Sequence, residues 1–130
     1  MAFVLNRFDE SKQQEGVWMD FGGSQFLIAY TGTKFTKELN RLRKPFERQI
    51  QKNTINPETL SELYQKAIAK TVLLDWKGVQ DFDGNEIPYS FEIAVEALKT
   101  DPELFSWVTE TSTEIGNYEK EAKEAKVKKS

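Results

Sequence analysis

Two short stretches near the start of the chain carry apolar residues at every second position around a glycine pair. The first is 17–21, the second is 25–30, and Gly22-Gly23-Ser24 lies between them. A period of two is typical of β-strands, and such a turn favours a β-hairpin. Because an isolated hairpin is marginally stable in water, we expect it to pack on the helices that follow.

Residues 33–52 carry apolar side chains at helical spacing. Their apolar members recur at steps of three or four: Phe35, Leu39, Leu42, Phe46 and Ile50. This spacing predicts a helix with one buried side. Pro45 lies inside the pattern, and because proline lacks the backbone N–H and clashes with the preceding turn, we expect a kink or a break there.

Three further helices are predicted from their start signals. Asn56, Ser90 and Asp101 are suitable N-caps, and Asn56 and Asp101 are each followed by proline and then glutamate. The first of these helices should end near Leu74. An extended segment with a turn at Asp83-Gly84 should separate it from the next one.

Together these elements predict an α+β fold that is mainly α. It consists of an N-terminal β-hairpin followed by about four helices, with a short extended turn segment between the second and third. Residues 1–118 should form a single globular domain, in which 1–15 are loosely held and Trp76 is a buried anchor. Residues 119–130 contain only Glu, Lys, Ala, Val and Ser, so we expect a frayed or disordered tail that is dispensable for folding.

The last helix also carries a short heptad-like seam. Its members alternate steps of four and three: Leu104, Val108, Thr111, Ile115, Tyr118, Ala122 and Ala125. The seam is interrupted by Gly116-Asn117. We therefore expect ordinary packing on the domain as far as Ile115, and a partner-binding or self-association helix remains an alternative beyond it.

The absence of cysteine and histidine from the chain restricts its chemistry. Disulfides and Ser-His or Cys-His nucleophile pairs are excluded, and a structural zinc site is not expected. The acidic segment 81–86 places its glycine wrongly for an EF-hand, so a plain turn is predicted. We therefore expect neither an enzyme nor a cofactor. The chain has no apolar run of membrane length and no signal-peptide core, which favours the cytosol and no membrane partner.

Charge is distributed unevenly along the chain. Residues 34–52 include seven basic and two acidic residues, whereas 75–114 include ten acidic and two basic ones. On a helix, Lys37, Arg41, Lys44 and Arg48 project to one side, opposite the apolar residues. This stripe is either a solvated helix face or a docking surface for an acidic partner or a neighbouring subunit. Nucleic acid is disfavoured by the net charge of −3 and by the lack of interleaved aromatics.

Three blocks of sequence resemble the tail assembly chaperone family of long-tailed (siphovirus) bacteriophages. They are Leu-Arg-Lys-Pro-Phe at 42–46, Leu-Leu-Asp-Trp-Lys-Gly-Val at 73–79 and Asp-Gly-Asn-Glu-Ile-Pro-Tyr-Ser at 83–90. Residues 102–105 and 114–118 are similar to the downstream helix of the same family. The order and spacing of these blocks match over about residues 15–118, and the second and third blocks together are the most specific.

The resemblance implies a chaperone that binds the tape-measure protein and helps recruit tail-tube subunits during tail morphogenesis. It implies location in the host cell cytoplasm and absence from the mature virion, with self-association as a further possibility. The family offers no catalytic residues to carry over, so Lys37, Arg41, Lys44 and Arg48 remain the candidate partner-binding residues on physical grounds. The alternative is a small structural head or tail protein that is retained in the virion.

Overall fold

The computed structural model describes residues 2–120. These residues form α1 (Glu10–Glu15), β1 (Val17–Phe21), β2 (Ser24–Ile28), α2 (Thr33–Arg43), α3 (Glu47–Gln51), α4 (Pro57–Thr71), β3 (Leu73–Lys77), α5 (Phe91–Thr100) and α6 (Pro102–Thr113). Two 3₁₀ segments, Lys44–Phe46 and Ile115–Tyr118, complete the described elements. The α+β, mainly α fold class is therefore confirmed. The predicted count of about four helices omitted α1 and counted α2 and α3 as one element.

The predicted hairpin is present, with β1 and β2 joined by a two-residue turn. Gly22 and Gly23 both have positive φ, at 59° and 84°, as the tightest hairpin turns require. Met19 lies opposite Phe26 in the antiparallel register, and both belong to the apolar side that contacts the core. Phe21 stacks on Trp107 of α6 with ring centroids 4.6 Å apart, so the hairpin packs on a helix as expected.

A third strand extends this hairpin. The sequence predicted an extended segment after the second predicted helix, but not that it pairs with the hairpin. We expected α4 to continue to about Leu74, but it ends at Thr71, and the chain then enters β3. The sheet order is β1-β2-β3, and β3 runs antiparallel to β2 with Trp76 opposite Phe26. Pairing with β2 satisfies backbone groups that a buried edge would leave open. Strand formation therefore prevails over the helical continuation of the pattern.

The local signals within the helical region act as predicted. The helix that begins at Thr33 stops at Arg43, and Pro45 lies in the 3₁₀ turn that precedes α3. Side-chain oxygens of Asn56, Ser90 and Asp101 each accept a backbone N–H from the first turn of the following helix. Each cap thus stabilises a helix start that the sequence located.

The chain ends are more ordered than the sequence suggested. The expectation that residues 1–15 are loose is wrong for 9–15, because Asp9 caps α1. Phe8 forms an antiparallel bridge with Glu119, and the Lys120 N–H donates to the Arg7 carbonyl at 2.7 Å. Residues 119 and 120, which were assigned to the tail, therefore pair with the N-terminal segment of the domain. Residues 121–130, which make up most of the predicted tail, lie outside the described residues.

The heptad-like seam does not continue as one helix. Leu104, Val108 and Thr111 are buried within α6, but the helix ends at Thr113. Tyr118 then lies in a 3₁₀ turn, where it is fully buried. The two alanines of the seam lie beyond the described residues. Ordinary packing therefore accounts for the buried seam residues, but Ile115, which was expected to pack on the domain, is 38% exposed.

The segment between β3 and α5 forms a turn rather than a helix or strand. One carboxylate oxygen of Asp81 accepts the N–H groups of Asp83 and Asn85, each at 2.9 Å. These bonds lower the pKa of Asp81, because they stabilise its charged form. No helix within residues 2–120 combines the length and apolar character that a bilayer crossing requires.

Candidate functional site

The candidate site lies where α2 and α4 pack side by side. Phe35 and Leu39 of α2 and Leu63 and Ala67 of α4 are buried in the core. The ring of Phe35 contacts that of Tyr64, with centroids 5.5 Å apart. Because the apolar sides of the two helices face inward, their charged residues meet along the outer seam.

Glu38 is the centre of the ion pairs at this seam. Arg41 donates to both of its carboxylate oxygens, at 3.1 and 2.6 Å, and the Lys70 Nζ lies 3.7 Å from one of them. The Glu38 side chain is only 10% exposed. The hydrogen bond from Arg41 lowers the pKa of Glu38, and the charge of Lys70 acts in the same direction against the effect of burial. Glu38 therefore remains charged and holds α2 against α4.

A groove of about 610 Å³ opens on one side of this ion-pair cluster. Its floor is apolar and its rim is basic. We call it the basic groove, and its lining residues are Glu38, Arg41, Leu42, Lys66, Ala69, Lys70, Tyr89 and Phe91. Phe91 is 38% exposed although it is a large apolar residue. The groove thus offers an apolar contact area bordered by three cations and one carboxylate.

Tyr89 gives the groove a rigid wall. Its hydroxyl lies 2.7 Å from the Leu73 carbonyl and 3.1 Å from the Ala69 carbonyl, both of which can accept its hydrogen. The ring of Trp76 packs edge-on against it, with centroids 5.1 Å apart. Burial raises the pKa of Tyr89 to about 12, with a smaller contribution from the charge of Asp75.

This raised pKa predicts a loss of stability in alkali. A tyrosine in the unfolded chain ionises near pH 10, so below that pH the stabilisation is fully present, and it is lost as the pH rises through about 12. Tyr89→Phe removes the titrating group together with its hydrogen bond. We expect the stability advantage of the wild type over Tyr89→Phe, measured by urea unfolding, to shrink between pH 9 and pH 11.5. A constant difference across that range would contradict the raised pKa, because other tyrosines contribute equally to both proteins.

The predicted stripe is divided by the break at Pro45. Lys37 and Arg41 lie near each other on α2, where both line a second depression of about 410 Å³ together with Lys34 and Lys70. Lys44 lies at the C-terminal cap of α2 and Arg48 on α3. Lys44 borders a separate depression with Glu47. The structure therefore brings Arg41 to the basic groove and leaves Lys44 and Arg48 beyond the break.

Sequence reasoning missed the other half of the groove. Lys66 and Lys70 come from α4, Phe91 is the first residue of α5, and Tyr89 lies in the segment just before it. Lys66 and Lys70 are one helical turn apart, which places them on one side of α4. Nothing local shows that this side adjoins Arg41. In the part of the chain that the structure describes, no three acidic side chains converge as a metal site.

Comparison with known proteins identifies the family of the chain but no individual related protein. The family model described as YdaY prophage protein matches residues 30–129. The match begins shortly after the hairpin and includes every residue that lines the basic groove. No curated protein and no solved structure matches the chain significantly. Because the matched region covers most of its length, the chain belongs to the YdaY prophage protein family and is a phage-derived protein.

Proposed function

We propose that the chain is a phage tail assembly chaperone that binds the tape-measure protein through the basic groove. The observation that carries the proposal is the groove itself, with an apolar floor at Leu42, Ala69 and Phe91 beneath a basic rim. Such a surface suits the apolar side of an amphipathic helix whose flanks carry carboxylates. Phage origin and the resemblance at 42–46, 73–79 and 83–90 support the same assignment.

The physical reason for chaperoning is the need to cover apolar surface. A long helical tape-measure protein exposes apolar stripes until the tail tube encloses it, and uncovered stripes associate nonspecifically. A groove of this type covers one stripe reversibly, since rim cations add specificity and speed of association more than affinity. The proposal needs no catalytic residue. It places the protein in the host cytoplasm during assembly, outside the finished virion, with tail-tube subunits as further partners.

Removing the groove rim should abolish tape-measure solubilisation. We expect co-expression of the tape-measure protein with Arg41→Gln/Lys70→Gln to leave it in the pellet, whereas the wild type keeps it soluble. The matched control is Arg48→Gln/Lys52→Gln, which removes the same charge from exposed positions on and after α3. If the tape-measure protein stays soluble with the rim variant, binding through the basic groove is refuted. If only the control variant fails to keep it soluble, binding belongs to the segment that follows Pro45.

A second pair of variants guards against loss of folding, because Glu38 loses partners in the rim variant. Phe91→Ser removes the exposed ring from the groove floor, and Phe82→Ser removes a ring that is fully exposed in the turn before α5. Only Phe91→Ser should impair solubilisation. The virion-retained alternative is tested separately by immunoblotting purified particles, since a chaperone should be absent from them.

A further inference from the structure

A second groove lies on the other side of α5, at the tip of the hairpin. It has a volume of about 950 Å³ and an apolar floor that includes Phe21, Ile93, Ala97 and Leu104. Its rim is acidic, and none of its lining residues is lysine or arginine. We call it the acidic groove. It shares no lining residue with the basic groove, so the two are separate surfaces.

The carboxylates of the acidic groove differ in how they are used within the chain. Those of Asp81 and Asp101 accept backbone N–H groups of their own turn and of α6. Glu92 and Glu96 lie one turn apart on α5, and no ion pair within residues 2–120 involves either of them. Lys99, which lies further along α5, forms no ion pair with either of them. Like charges at this spacing repel, and Ile93 between them is 40% exposed.

The complementary surface lies on α2 of the same protein. Lys34 and Lys37 lie three residues apart and project to the same side of that helix, and we call these two residues the basic face. Lys34 and Lys37 are exposed, and neither forms an ion pair with another described residue. Residues three or four apart are neighbours on a helix surface, so Lys34 and Lys37 on α2 form a pair of cations, and Glu92 and Glu96 on α5 form a pair of anions with similar spacing.

From this match we infer that the acidic groove of one copy receives the basic face of α2 of a second copy. Lys34 and Lys37 then lie opposite Glu92 and Glu96, and the aliphatic stems of the lysines cover Ile93. Because the two surfaces differ, the contact is head-to-tail. After one such contact, the pair still has one free groove on one copy and one free face on the other, so association continues into a ring or an open filament. The inference does not depend on the identity of the tape-measure partner.

Charge-swap complementation tests this contact directly. Sedimentation velocity at low salt should show the average mass of the wild type rising with concentration. Glu92→Lys/Glu96→Lys and Lys34→Glu/Lys37→Glu should each remain monomeric, with self-association weakened at least about a hundredfold, since like charges then face each other. An equimolar mixture should regain association, because each reversed surface meets its complement. The Lys34 replacement places negative charge in the first turn of α2, which helices favour.

The control is Glu103→Lys/Glu110→Lys, which makes the same charge change on α6 outside the acidic groove and should associate like the wild type. Circular dichroism should show all variants folded. Association of the wild type should disappear at 1 M salt, where the Debye length is about 3 Å. A monomeric wild type at all concentrations, or a mixture that stays monomeric, overturns the inference. Glu92→Lys/Glu96→Lys keeps the basic groove, so its ability to solubilise the tape measure reports separately on the proposed function.

Discussion

Replacing Trp76 with alanine should lower the free energy of unfolding by about 3–5 kcal/mol. Trp76 is 6% exposed, as the sequence predicted. Its indole N–H donates to the Ile87 carbonyl at 2.8 Å, and its ring packs edge-on against Phe26 and Tyr89. The substitution therefore removes apolar packing between sheet and turn and leaves the partly buried Ile87 carbonyl without its donor. Urea unfolding at neutral pH measures the loss.

Two further variants serve as comparisons: Trp76→Phe separates ring packing from the hydrogen bond, and Phe82→Ala is the control for losing an aromatic ring. Trp76→Phe keeps an aromatic ring but loses the indole N–H, so we expect a smaller loss than for alanine. Phe82→Ala removes a ring that is fully exposed and should change stability by no more than about 0.5 kcal/mol. A Trp76→Ala protein as stable as the Phe82→Ala protein would show that Trp76 does not anchor this segment.

Replacing Tyr118 with alanine should destabilise the fold by a similar amount, about 3–5 kcal/mol. Tyr118 is fully buried, its hydroxyl donates to the Ile28 carbonyl at 3.2 Å, and its ring packs against Tyr30. Its own carbonyl accepts the Asp9 N–H at 2.7 Å. One residue thus joins β2 through its side chain and the start of α1 through its backbone carbonyl.

Truncations provide the matched comparison for Tyr118. Deleting 121–130 should leave the melting curve nearly unchanged, because the contacts of Tyr118, Glu119 and Lys120 are retained. Deleting 119–130 should cost more, because the Phe8–Glu119 bridge and the ion pair between Arg7 and Glu119, at 3.2 Å, are lost. If Tyr118→Ala has the same melting temperature as the protein truncated after residue 120, the C-terminal turn is not part of the core.

The sequence by itself determined the features whose causes are local. Two adjacent glycines specify a two-residue hairpin turn because few other residues adopt positive φ at both positions. Pro45 ends α2 because it cannot donate its N–H. Asn56, Ser90 and Asp101 begin helices because their side chains satisfy N–H groups of the first turn. The burial of Trp76 also followed, since it comes shortly after two leucines and before a glycine turn, and a large apolar ring stabilises a core only when it is buried.

Only the tertiary structure decided what the segments contact. Residues 73–77 could continue a helix or form a strand, and the free edge of β2 selects the strand. The pairing of Phe8 with Glu119 joins residues 111 positions apart, beyond the range of any local pattern.

The basic stripe illustrates the same limit. Periodicity placed Arg41 on the outer side of α2, but packing brought Lys70 of α4 beside it and left Arg48 beyond the break. Charge and helical phase are properties of a single segment, whereas a groove requires side chains from segments that meet only when the core forms.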